Sequence, residues 1–309
     1  FTGFDRVDIF NESDFDLQIN GIDVIHPNPD IKQNLRFEAA DLSAFDPWFP
    51  DPAPGETRIT IDGRGASSIL LNGHIDNPFG NTSVSNLDGS ILSGGDHALI
   101  ETTQLTVDTP SGHVGTSAHP ILSKAASPTT STIVSGIAQD DIHLKQISGD
   151  LLVGQASSEL GSVNLETSRS ILAADAEGTT NVTARKMFLT SLAGSIGSGT
   201  DPLAIESSGA LQSLHAFADA DITIAEGTDD PSGLNVGTVR SNRGNVTILV
   251  EDSAVDHQDL KVGSQGRIHA PAGSVMLHAG DNFHIESDGV ITASDSVTIV
   301  GDSGSHADE

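Results

Sequence analysis

A chain of 309 residues with 43 acidic and only 14 basic side chains carries a formal charge of −29, a potential that repels nucleic acid and anionic membrane surfaces alike. It has no Cys, which excludes a disulfide framework, thiolate metal sites and thiol catalysis while staying compatible with export. Aromatic residues make up 4% and Tyr is absent, so the interior has to be filled by Val, Ile, Leu and Ala, as suits a core about one sheet-packing distance wide.

In chain order, residues 1–54 form an opening segment of their own character. Seven of the eleven Phe and the only Trp fall within the first 50 residues, as Phe1, Phe4, Phe10, Phe15, Phe37, Phe45, Phe49 and Trp48. Short strands are predicted at residues 5–10 and 17–24, and the Pro-rich stretch 46–54 interrupts any regular strand. We read this segment as a local hydrophobic cover or cap, with an aromatic contact surface for a neighbouring subunit as the alternative. Phe1 in place of Met is read as a processed or excised start, and no apolar run approaches a membrane span or a signal-peptide core.

From residue 55 to 309 the pattern is a repeat region. Segments alternating polar with aliphatic recur as Ser162-Val163-Asn164-Leu165, Asp221-Ile222-Thr223-Ile224, Asn245-Val246-Thr247-Ile248, Ser274-Val275-Met276-Leu277 and Ser296-Val297-Thr298-Ile299. That is the period of a strand, and no comparable stretch carries the helical period. A longer repeat lies above it. Gly112-His113-Val114-Gly115, then Pro120, returns 82 residues later as Gly194-Ser195-Ile196-Gly197, then Pro202. Asp141-Ile142 returns at Asp221-Ile222, Leu151 to Gly154 at Leu234 to Gly237, and Gly161-Ser162-Val163 at Gly244-Asn245-Val246. Coils of about 20 residues would put three or four coils in each such unit and around a dozen in the rod.

One coil of short strands cannot bury its own apolar side chains, whereas stacked coils spaced by about 4.8 Å pair every strand with the ones above and below. The expected fold is therefore all-β, a right-handed parallel β-helix. Gly and Asn belong at its corners, where positive φ is needed. The strand pattern runs to Val300 with no polar capping element after it, so the chain is expected to continue in a larger polypeptide or to stack end to end with a neighbouring copy.

The run Gly73-His74-Ile75-Asp76-Asn77-Pro78-Phe79-Gly80-Asn81-Thr82, followed by Asn86-Leu87-Asp88-Gly89-Ser90-Ile91, resembles the coil pattern of large exoproteins of the filamentous-haemagglutinin type. In those β-helix adhesins, secreted by Gram-negative bacteria, a buried Ile is followed by an Asn-Pro corner and a Gly-x-Ile return. Residues 194–205 and 233–250 are similar, and the likeness covers roughly residues 55–302; the family's amino-terminal secretion module is not recognisable. The resemblance implies adhesion or a surface filament, while the spacing by itself indicates only a solenoid.

Parallel β-helices also include polysaccharide lyases and hydrolases, which need a cation against a developing carboxylate charge or two facing carboxylates. The doublets Asp140-Asp141 and Asp229-Asp230 do not qualify by themselves, because neighbours along a strand point to opposite faces, and they read as turn residues. Lys and Arg are too sparse for a basic cleft, although Arg185-Lys186 and Arg240 with Arg243 are candidates for small local patches. The twelve His show no zinc-binding spacing. Calcium is the one cofactor considered: Asp229, Asp230 and Asp302 sit in stretches with hard oxygen donors, although the glycine-rich nonapeptide of calcium rolls is absent.

The expectation is a non-enzymatic structural shaft or adhesin segment of a large bacterial cell-surface or extracellular protein. Its partners would be copies or continuations of itself end to end, and host or matrix glycans or proteins, with no nucleic acid and no membrane insertion. The alternative is a carbohydrate-active β-helix enzyme.

Overall fold

The alternation of polar and aliphatic residues has a simple structural result. In the strand Ser162–Thr167, Val163 and Leu165 are buried while Ser162, Asn164 and Glu166 remain partly exposed. The computed structural model describes residues 6–11, 17–23, 58–64, 67–127, 129–174, 179–207, 213–227, 233–252 and 258–301, and every regular element among them is a strand. The strands stack in parallel as a β-solenoid of about 10 turns. All five alternating segments singled out in the sequence lie on strands: Ser162–Thr167, Ile222–Glu226, Val246–Val250, Val275–His278 and Val297–Val300.

Inward residues form continuous columns along the axis. One runs Leu17, Ile69, Ile91, Val114, Ile142, Val163, Met187, Leu214, Val236, Val262 and Ile285. A second runs Thr132, Leu151, Ile171, Ile196, Ile222, Val246, Val275 and Val297. Along the second column coil length varies from 19 residues, Thr132 to Leu151, to 29, Val246 to Val275, which is why there are about 10 turns and not a dozen.

This variation also gives the 82-residue repeat its geometry. Val114 stands in the first column and its counterpart Ile196 in the second. Eighty-two residues after Val114 the chain lies between the first-column positions Met187 and Leu214, so the repeat is not a whole number of coils and carries its corner from one face to another.

The corner itself is recurrent. Asn86, Thr109, Ser158, Ser191 and Ser241 are each followed three residues later by Gly. The hydroxyls of Ser158 and Ser241 donate to the carbonyls of Asp140 and Ala220 on the preceding coil, both at 2.6 Å, and accept the N–H of Gly161 and Gly244 at 3.0 and 2.9 Å. A side chain at Gly161 or Gly244 would run into that preceding coil, with a Cβ 2.7 Å from the carbonyl carbon of Asp140 or Ala220. Small residues here let the backbones approach closely enough to pair.

At another corner the interior is polar. Asn77, Thr82, Thr102, Thr132, Gln146 and Ser123 are buried and linked: Thr82 donates to Thr102 at 3.2 Å, Gln146 to Thr132 at 3.1 Å, and Ser123 to Gln146. Buried polar groups of this kind cost little because each finds a partner.

The first strands, Arg6–Asn11, Leu17–Ile19 and Ile22–Asp23, are wound into the solenoid, pairing with Arg58–Gly63, Ile69–Leu71 and Ile75–Asn86. Of the opening aromatics only Phe10 lies among the described residues, and it is exposed. The two ends differ. Val7, Ile19 and Ile22 in the first coil are 5–6% exposed, whereas Ile285, Val297 and Ile299, on inward positions of the last, are 49%, 45% and 42% exposed.

Candidate functional site

The most featured surface among the described residues is a groove beside the turn that follows Val114. Gly115 reverses the chain at φ 62°, a conformation open to glycine, and a Cβ there would press on the His143 carbonyl at 2.7 Å. Reciprocal main-chain bonds between Thr116 and His119, 3.0 and 3.1 Å, close the turn. The turn overlooks the outward positions of strand Ile142–Gln146, leaving a groove of about 560 Å³ between Thr116, Ser117, His113, His143, Asp140 and Asp141. A smaller hollow of about 180 Å³ adjoins it, with Lys145, Asn164, Glu166 and Phe188 along its sides.

The chemistry of these groups is largely committed to the fold. Asp140 and Asp141 lie in the turn before strand Ile142–Gln146, as their sequence context suggested. Asp141 Oδ1 accepts both the N–H and the hydroxyl of Ser162 at 2.7 Å. Burial pushes the Asp141 carboxyl up, but those two bonds, aided by His143 and His113, outweigh it and hold the group below the ordinary carboxylate value. His143 is displaced downward, chiefly by burial and further by His113, against the pull of Asp141, so its imidazole is neutral near pH 7. Lys145 is bound to Glu166 at 2.8 Å.

The groove thus offers two imidazoles, hydroxyls, the Asp140 carboxylate and the Asp141 carboxylate, which already holds two donors. Phe188 stacks on His215 in the next coil, centroids 4.9 Å apart and planes 6° from parallel, so the ring faces run along the axis.

Comparison across the 82-residue repeat separates fold from local chemistry. Gly197 has φ 64°, Ser198 and Asp201 close the same turn, and Asp221 Oδ1 accepts the N–H of Asn245 at 2.7 Å. The Asp and Gly residues therefore recur with their structural duties. His113 and His143, in contrast, become Ser195 and Thr223.

The calcium candidates Asp229, Asp230 and Asp302 lie outside the described residues. Of the basic residues noted in the sequence, Arg243 is paired with Asp219, and Arg240 bonds Asn242 at 3.0 Å. One grouping escaped the sequence reading: His74, Asp76 and Glu101 each bring a ligand atom within 4.8 Å of the others. His74 and Asp76 alternate along one strand face, a faint local sign, but Glu101 joins them only through inter-coil register.

Comparison of the chain with known protein families, curated proteins and solved structures returns no match.

Proposed function

We propose that this chain is a rigid, non-catalytic shaft or adhesive segment of a large bacterial cell-surface or extracellular protein. The observation that carries the reading is main-chain pairing continued over about 10 turns around an aliphatic column. Such a body resists bending, and its described strands are held by main-chain bonds that a protease would have to break open. The groove carboxylate of Asp141 serves a corner of the coil, which fits a structural role better than turnover. The last coil adds a route to longer assemblies. Strand Val297–Val300 pairs with Val275–His278, has no second strand partner among the described residues, and presents apolar inward positions beside it. An edge of that kind accepts a further parallel strand, from a continuing chain or a neighbouring copy.

Electron microscopy of the purified chain should show rods about 50 Å long, from about 4.8 Å per turn, resistant to limited proteolysis. The same material, incubated with acidic and neutral polysaccharides, should release no reducing ends and no unsaturated products. Depolymerisation of any of them, abolished by His143→Ala, would replace this reading with the carbohydrate-active one, to which the groove at His113 and His143 lends its support.

A further inference from the structure

We propose that His74, Asp76 and Glu101 form a surface site for a divalent transition-metal ion that ties two coils together, and zinc is the probe by which we would test it. The argument begins with register. In the ladder joining strand Ile75–Asn86 to strand Leu99–Thr109, Asp76 stands directly opposite Glu101. Two carboxylates at adjacent rungs repel each other, and like charges so placed destabilise a sheet. On the next coil Lys124 is the register partner of Glu101 and its Nζ reaches Oε2 at 3.0 Å. One cation thus answers two anions, and among the described residues Asp76 has no hydrogen-bond or ion-pair partner.

His74 supplies an independent indication. Its Nε2 is closed off from solvent although the rest of the side chain is partly exposed, and it makes no hydrogen bond. That nitrogen lies 3.8 Å from Glu101 Oε2, too far for a hydrogen bond and close enough to share an ion. A nitrogen and two carboxylate oxygens, each about 2.1 Å from one centre, are at most about 4.2 Å apart. The three ligand atoms lie within 4.8 Å of one another, so side-chain rotations of about half an ångström would gather them. Imidazole with two carboxylates selects a first-row transition ion over calcium, which prefers oxygen alone. Remaining positions would be filled by water.

The test uses the whole chain, stripped with chelator and then freed of it, titrated calorimetrically with zinc chloride. The wild type should show one saturable equivalent tighter than the background of other His and acidic side chains. Asp76→Asn, which keeps shape and removes charge, and His74→Ala should each weaken that equivalent at least tenfold. Zinc should raise the melting temperature of the wild type and leave that of Asp76→Asn unmoved. Melting in chelator checks that the variants fold, and His269→Ala, at a partly exposed histidine elsewhere, should bind as the wild type does. The proposal is overturned if the wild type has no saturable equivalent, or if folded Asp76→Asn and His74→Ala bind zinc unchanged, which would leave the cluster as an ion-pair network around Lys124.

Discussion

The carboxylate of Asp141 holds Ser162, one coil further on, by two bonds of 2.7 Å to a single oxygen. Gly161, just before that serine, leaves room for it: a Cβ there would meet the same Oδ1 at 2.7 Å. Eighty residues later Asp221 does the same for Asn245 beside Gly244. Asp141→Ala should lower stability by about 1–3 kcal/mol, since it strands donors at a partly buried corner. Asp221→Ala should change it in the same direction. Urea midpoints of the purified variants measure both.

Stability should fall in acid through these corners. Asp141 and Asp259 both titrate below the ordinary carboxylate value; for Asp259 the cost of burial is outweighed by the Asn282 side chain, Lys261 and the Asn282 N–H. A depressed folded-state value means a contribution that is present above the unfolded value, near 3.8, and lost as pH falls through the folded one. Urea midpoints measured from pH 6 to pH 2 should therefore drop below about pH 4, and Asp141→Asn with Asp259→Asn should flatten that drop.

Asp108 has the opposite sign. Burial raises its carboxyl value despite the bond from the Ile137 N–H at 3.2 Å. Its ionised form is therefore disfavoured on folding, and the penalty disappears as pH falls below the folded value. Asp108→Asn should stabilise at pH 7 by no more than about 0.5 kcal/mol, because the residue is half exposed and solvent screens it. At pH 3 the variant and the wild type should melt together.

Gly197 and Gly199 share one turn and should answer differently to the same substitution. At Gly197, φ is 64° and a Cβ would sit 2.1 Å from the Thr223 carbonyl oxygen and 2.6 Å from the Leu203 nitrogen. At Gly199 a Cβ meets nothing within 4 Å. Gly197→Ala should cost more than about 2 kcal/mol, while Gly199→Ala should be neutral within about 0.5 kcal/mol. Thermal unfolding followed by circular dichroism distinguishes them.

Leu277 and Ile299 are register partners on one inward column, fully buried and 42% exposed respectively. Leu277→Ala should cost about 2–5 kcal/mol and Ile299→Ala less than about 1 kcal/mol in dispersed chains. In end-to-end assemblies Ile299 becomes interior, so Ile299→Ala should lower assembly, read by light scattering, more than it lowers the melting temperature.

The alternation in segments such as Asn245-Val246-Thr247-Ile248 and the glycines at 112, 161, 194 and 244 are local signals, and they sufficed to specify strands, corners and stacking. Period two is a property of consecutive residues, and a missing Cβ is needed wherever coils touch. The Ser-x-x-Gly corner was also present in the sequence, but its meaning lay in hydrogen bonds to carbonyls 18 to 22 residues earlier.

Sequence alone therefore determined that this chain forms a parallel solenoid with an aliphatic interior, because each strand declares its buried face by its own alternation. Only the tertiary structure decided which outward side chains become neighbours, setting Asp76 beside Glu101 and Phe188 beside His215. The physical reason is that register between coils depends on the length of each winding. That length changes from 19 to 29 residues along the second column alone, so distance in sequence does not predict proximity on its surface.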